Sequence, residues 1–102
     1  MEAIVQLNYF FMAIATDERI CPTHISLYIA LLLCWIENDH KDSFIVNRDE
    51  VMKAAKISAR TTYNKCMGEL HRYGYIKYTP SYNFYLGSMV GLVGENKVVM
   101  ND

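Results

Sequence analysis

The sequence predicts a mainly α domain with a small β-hairpin, an α+β fold. Two apolar stretches of helical length occupy most of residues 1–40, a helix-turn-helix pattern follows over residues 47–73, and strand-like alternation begins at Tyr75. The chain has 102 residues, a length that supports one domain burying roughly 60% or more of its unfolded surface. With 52% hydrophobic residues, the composition excludes a disordered chain.

The first two predicted helices are apolar on almost every side. One spans residues 3–15, and the other spans residues 24–38 after a break at Pro22, with Thr23 as its predicted N-cap. Each is shorter than the roughly 18–20 apolar residues that a bilayer-spanning helix needs. The sequence therefore predicts no membrane partner.

A helix that is apolar all round has to be covered all round. A domain of this size has few other elements to cover two such helices, so the sequence predicts a homodimer with two-fold symmetry, the commonest kind of oligomer. The alternative is that the N-terminal helix folds back and completes a larger monomeric core. The predicted interface residues are Ile4, Leu7, Phe10, Phe11, Ile14, Leu31 and Trp35.

A short strand and a pair of helices are predicted next. Residues 43–46 form the strand candidate, and Asn47 caps a helix whose Glu50 occupies the third position of a capping box. Residues 56–57 make the turn between the two helices. Ser58 is the predicted N-cap of the second helix, because its hydroxyl can accept the first free amides.

A β-hairpin completes the predicted domain. Gly74 ends the second helix of the pair, residues 75–78 alternate like a strand, and residues 84–93 supply the returning strand. Residues 95–102 form a tail to which the sequence assigns no role.

The second helix of the pair carries its polar side chains near its start. Arg60, Thr61, Asn64 and Lys65 face away from the apolar stripe, which predicts that they read base edges in the major groove of DNA. The positive pole of the helix favours phosphate at the same end. The predicted phosphate contacts are Arg48, Lys53, Lys56, Ser58, Arg72, Tyr82 and Asn83.

Charge is unevenly distributed along the chain, although the net charge is only −1. Residues 1–40 contain one base and five acids, whereas residues 41–78 contain eight bases and four acids. The positive charge therefore lies in the segment that the helix-turn-helix pattern assigns to DNA. An ordinary solvated face is the alternative interpretation of the same charges.

Several runs in this segment resemble bacterial DNA-binding proteins. Ser58–Tyr63, Glu69–Leu70 and Gly74–Ile76 look like the second helix and the first wing strand of bacterial winged-helix DNA-binding domains. Over residues 23–92 the chain is also similar to a group of short bacterial helix-turn-helix proteins of poorly assigned role. The matching runs are Thr62–Met67, Glu69–His71, Gly74–Tyr78, Pro80–Asn83 and Gly87–Ser88.

The resemblance implies a winged helix-turn-helix with an extra N-terminal apolar helix. Together with the apolar pattern of residues 3–15, it divides the single domain into a dimerisation helix and linker at residues 1–22, a winged-helix core at 23–94 and a C-terminal tail at 95–102. It also implies double-stranded DNA as the partner. In winged helices that hold DNA through the wing, the wing tip usually carries Arg or Lys, whereas this chain has an uncharged tip.

The sequence contains no pattern typical of catalysis or of cofactor binding. It lacks a glycine-rich phosphate loop, and neither a carboxylate pair nor a Ser/His/Asp set follows from the spacing. Cys21, Cys34 and Cys66 are typical of reduced residues in a cytoplasmic protein. Cys21 and His24 have a spacing that zinc sites use, but no second pair at finger spacing follows, so no metal is expected.

Two functions follow from these observations. The first is sequence-specific binding of double-stranded DNA by a dimeric transcriptional regulator or mobile-element accessory factor. The second is a winged-helix module for protein–protein contact in a replication or conjugation assembly that binds no DNA, which the near-neutral charge and the apolar N-terminal helices favour. An enzyme is not expected in either case.

Overall fold

The computed structural model describes residues 2–81 and 86–94. Four helices and a three-stranded antiparallel sheet form the described part of the chain, which confirms the α+β class. The elements in chain order are α1 (Glu2–Ile14), α2 (Pro22–Glu37), β1 (Phe44–Val46), α3 (Arg48–Ala55), α4 (Arg60–Arg72), β2 (Ile76–Thr79) and β3 (Ser88–Leu92).

The sheet places β3 between β1 and β2. Tyr78 of β2 and Phe44 of β1 both pair with Val90, which is fully buried at the centre of the sheet. Gly91, the next residue, has no room for a side chain, because a Cβ there would lie 2.6 Å from the backbone oxygen of Asp42. The returning strand is therefore held on both sides, and the loop before β1 crosses close to it.

One continuous core joins the helices to the sheet. Leu27, Tyr28 and Leu31 of α2 are fully buried, and α2 contacts α1, α3, α4 and β1. The other core residues with at most 2% exposure are Phe10, Val46, Val51, Tyr63, Met67, Leu70, Ile76 and Val90. Helix α2 is thus the central element of the fold.

Helix α1 docks on this core through one face. The ring of Phe10 stacks on Tyr28 with centroids 3.7 Å apart, and the amide of Gln6 donates to the Tyr28 hydroxyl at 2.7 Å and to the Val93 carbonyl oxygen at 2.9 Å. The N-terminal helix therefore folds back onto the core of its own chain. This is the arrangement that the sequence analysis gave as the alternative to the homodimer.

This docking changes the set of residues available to a second copy. Phe10 and Leu31 are core residues of the single chain, which corrects their assignment to a dimer interface. Leu7, Ile14 and Trp35 are partly buried against the same core. Of the predicted interface set, Ile4 and Phe11 are the exposed members, at 68% and 43%.

The link from α1 to α2 is tied to the hairpin by Asp17. Its carboxylate accepts from the Arg19 guanidinium at 2.8 Å and from the Tyr75 hydroxyl at 2.5 Å. These hydrogen bonds, that of Arg19 foremost, hold the pKa of Asp17 well below its usual range. The loop is therefore fastened to the residue that immediately precedes β2.

The structure confirms the predicted cap of α3 and corrects the predicted cap of α2. Asn47 caps α3 as expected, since its side chain accepts the Glu50 amide at 3.0 Å. Helix α2, however, begins two positions earlier than a Thr23 cap predicts, with Cys21 as N-cap and Pro22 in the first turn. Proline is favoured there because its missing N–H is one that the first turn cannot use.

None of the helices in residues 2–81 and 86–94 has the length and apolar character that a membrane crossing requires.

Candidate nucleic-acid interface

A tight turn sets the angle between α3 and α4. Lys56 adopts the left-handed conformation at φ 62°, and the amide of Ile57 donates to the Met52 carbonyl oxygen at 2.9 Å. Ile57 is buried at 8% exposure and anchors the turn to the core. The Ser26 hydroxyl of α2 donates to the carbonyl oxygen of Ala55 at the end of α3. The turn is fixed from both sides.

Helix α4 has a buried face and a polar face. Tyr63, Cys66, Met67 and Leu70 are buried and recur at helical spacing. The opposite face is exposed and carries Thr61, Asn64, Lys65 and Arg72, which share one side of the helix by their spacing of three, four and eleven residues. Arg60, the first residue of the helix, is exposed beside them. The four predicted base-reading residues are therefore all accessible.

The N-terminus of α4 lacks a side-chain cap. Its N-cap is Ala59 rather than Ser58, and the Ala59 side chain has no atom that could accept the first amides. Ser58 is exposed one position earlier, which corrects its prediction as the cap. The first turn contains no acidic residue. Uncapped amides and the positive pole of the helix thus meet solvent together, as an anion site requires.

The predicted phosphate contacts fall into three groups. Lys53, Lys56, Ser58 and Arg72 are exposed, and the Arg72 guanidinium lies 5.9 Å from the centroid of the Tyr73 ring. Arg48 is half-buried, with its Nε 3.5 Å from Oδ1 of Asp49. Tyr82 and Asn83, at the predicted wing tip, lie outside the described residues.

Gly68 lies in the middle of the exposed face of α4, between Lys65 and Arg72. The fold does not demand glycine here, because an added Cβ would meet only Nη1 of Arg72, at an ordinary 3.8 Å. Glycine inside a helix destabilises it by about 0.8–1.0 kcal/mol relative to alanine. A glycine that the fold does not need, on this face, leaves space for another molecule to approach the helix backbone.

We therefore expect Gly68→Ala to raise the free energy of unfolding by about 0.5–1 kcal/mol. If α4 enters a DNA groove, the variant should also bind duplex DNA more weakly, because the new methyl group would separate the helix from the groove. Urea unfolding and a duplex titration of the same preparation measure the two effects. A variant with unchanged DNA affinity would show that the groove does not come close to this position.

The structure also brings together residues that the sequence left apart. His24 of α2 is buried at 3% exposure, and its Nε2 lies 2.8 Å from Oε1 of Glu69 on α4. One ligand atom from each of His24, Cys66 and Glu69 lies within 4.8 Å of the other two, a grouping that the sequence did not predict. The sequence feature that could have pointed to this grouping is a pair of possible metal ligands separated by two residues. It occurs at Cys21 and His24 and again at Cys66 and Glu69.

The hydrogen bonds of His24 fix its tautomer. The Cys21 amide donates to Nδ1 at 3.0 Å, so the proton of the neutral ring is on Nε2 and is donated to Glu69. The Cys21 sulfur lies 3.3 Å from the same Nδ1. The start of α2 and the underside of α4 are therefore joined by a buried polar contact behind the exposed face.

Comparison of the chain with protein-family models, with curated proteins and with solved structures finds no match. The case for a function therefore depends on the geometry of α4 and its surroundings.

Proposed function

We propose that the chain is a winged helix-turn-helix protein that binds double-stranded DNA, with α4 as the recognition helix and the β2–β3 hairpin as the wing. The observation that carries the proposal is the exposure of polar side chains on the N-terminal half of α4. It presents Arg60, Thr61, Asn64 and Lys65 to solvent beside uncapped amides, and its underside is buried. A rigid helix with a polar, positive and accessible end is suited to enter a major groove.

The exposed side chains divide by chemistry. Arg60 suits the two acceptors on the guanine edge, and Asn64 suits the acceptor and donor of adenine. Lys53 and Lys56, exposed on α3 and in the turn, carry compact charges that suit the phosphates flanking the groove. Phosphate contacts supply most of the affinity, and base contacts supply the sequence preference.

Replacing Arg60 and Lys56 separates these two roles. Arg60→Ala should relax the base preference by about 1–3 kcal/mol at one position, whereas Lys56→Ala should weaken all sequences alike and make binding less dependent on salt. The measurement is a titration of each variant with a selected duplex and with random duplex at matched salt. Equal losses on both DNAs from both variants would contradict the division.

We propose in addition that the protein binds DNA as a homodimer through the outer face of α1. Ile4, Val5, Phe11 and Met12 are exposed there and lie on one side of the helix, opposite Phe10. A protomer with few phosphate contacts binds weakly alone, so pairing supplies the missing affinity. Two-fold symmetry then predicts half-sites about 34 Å apart, or a multiple of that distance. Light scattering at micromolar concentration tests the pairing.

A role in transcription regulation, or as an accessory factor of a mobile element, agrees with such a dimer. The alternative is a protein-contact module, which the exposed Leu33 of α2 and the exposed Ile45 and Met89 of the sheet favour. A salt-dependent interaction with duplex DNA separates the two, because a protein-contact module gives none even near 50 mM salt.

A further inference from the structure

We propose that His24, Cys66 and Glu69 form a binding site for a divalent transition metal, with Zn²⁺ as the best match, at the junction of α2 and α4. The inference does not depend on DNA binding, because the site lies on the buried side of α4. None of the three side chains belongs to the proposed DNA-binding face.

The three donors come from two rigid helices. Cys66 and Glu69 are three residues apart on α4 and therefore project to neighbouring positions one turn apart, while His24 lies in the first turn of α2. Tetrahedral zinc with its usual bond lengths separates its ligand atoms by about 3.4–3.6 Å. The observed separations, 2.8 Å for the imidazole–carboxylate pair and at most 4.8 Å within the set, reach those values by side-chain shifts of about 1 Å.

The donor set selects the metal by its chemistry. One imidazole nitrogen, one sulfur and one carboxylate oxygen match the ligands that zinc prefers, whereas calcium and magnesium prefer oxygen alone. His24 and Cys66 are buried, but the Glu69 side chain keeps 16% of its exposure. An ion can enter from that side and retain one water as its fourth ligand.

The surroundings of Cys66 also favour a cation. Burial raises the pKa of the Cys66 thiol, and the nearby Cys21 and Glu69 raise it further. A divalent ion between these groups reverses the effect, because it stabilises the thiolate and the carboxylate at once. The same ion would connect the start of α2 to the underside of α4.

Binding has a defined proton balance. Cys66 loses its S–H proton to solvent as its sulfur bonds to the metal. Nε2 of His24 gives up its proton and bonds to the metal, and the ring takes up one proton at Nδ1. Nδ1 then donates to the Cys21 sulfur, 3.3 Å away, in place of accepting the Cys21 amide. One proton is released per ion, and the histidine changes tautomer.

The test is a zinc titration of the reduced, metal-free full chain at pH 7, in competition with a chromophoric chelator. We expect one ion per chain, and at least about tenfold weaker binding by Cys66→Ser and by Glu69→Gln. The matched control is Cys34→Ser. Cys34 is a half-buried thiol ten residues further along α2 than His24, or about 15 Å along its axis, and its loss should leave the zinc affinity unchanged.

A second measurement does not rely on variants. Nitrogen-15 spectra of the wild-type His24 ring should show the proton on Nε2 without metal and on Nδ1 with zinc. Failure to bind zinc at micromolar concentration would overturn the proposal. So would an unchanged tautomer, or equal zinc affinities for wild type, Cys66→Ser and Glu69→Gln, which would indicate adventitious surface binding.

Discussion

Phe10→Ala is expected to lower the free energy of unfolding by about 3–5 kcal/mol. The Phe10 ring is 1% exposed, stacks on Tyr28 and meets the edge of Tyr75, with centroids 5.5 Å apart. Truncation would leave a cavity where α1, α2 and the residue before β2 meet. Urea or thermal unfolding followed by circular dichroism measures the loss.

The neighbouring residue provides the control. Phe11 is 43% exposed on the outer face of α1, so Phe11→Ala should lower the free energy of unfolding by less than about 1 kcal/mol when the chain is monomeric. The unfolding of both variants should be measured at several protein concentrations, because a dimer would make the free energy of unfolding depend on concentration. If Phe10→Ala lowered the free energy of unfolding by no more than Phe11→Ala does, α1 would not dock on its own core.

Gly87→Ala is expected to destabilise the protein by about 2–4 kcal/mol, because two penalties combine. Gly87 has φ +73°, a conformation that disfavours side chains, and its added Cβ would lie 2.6 Å from the Val46 backbone oxygen. The methyl group would also lie 2.9 Å from Cγ2 of Ile45. The substitution therefore pushes the start of β3 away from β1, and thermal unfolding detects the loss.

Gly74 separates the two penalties. It has φ +91°, but no atom of residues 2–81 and 86–94 lies within 4 Å of its added Cβ, so Gly74→Ala carries the backbone penalty of about 1–2 kcal/mol alone. The difference between the two variants measures the close approach at Gly87. Equal effects from both would show that β1 and β3 have room to separate at that point.

The elements of the fold could be predicted because their signals are local. Long apolar stretches located α1 and α2, apolar periodicity located α3 and α4, and glycine at position 74 marked the end of α4. The caps were harder to predict, because the observed caps, Cys21 and Ala59, lie within two positions of Thr23 and Ser58. Pro22 fits the first turn of α2, and α4 begins after Ala59 with no side-chain acceptor. Neighbouring positions differ by too little free energy for composition to choose between them.

The packing of α1 could not be predicted from its composition. An apolar helix looks the same whether its own chain or a second copy covers it, and the choice depends on contacts between residues distant in sequence. Phe10 meets Tyr28 and Gln6 meets Val93, and these partners fixed which face of α1 turned inward. Ile4 and Met12 were left outside by the same contacts.

The polar cluster behind α4 was missed for a similar reason. His24 and Glu69 are 45 positions apart, so only the packing of α2 against α4 brings them into contact. The exposed face of α4 was predictable, because helical spacing alone assigns Thr61 and Lys65 to the side opposite the buried stripe.

A salt-resolved titration of wild type and two charge-reversal variants tests most directly whether the outer face of α4 binds duplex DNA. Fluorescence anisotropy would follow a labelled random duplex between 50 and 200 mM salt for wild type, Lys65→Glu and Lys41→Glu. Lys65 lies on the exposed face of α4, whereas Lys41 is an exposed lysine in the loop before β1. We predict binding that weakens with salt, a loss of at least about tenfold from Lys65→Glu, and little change from Lys41→Glu. No binding near 50 mM salt, or equal losses from both reversals, would contradict DNA binding by this face.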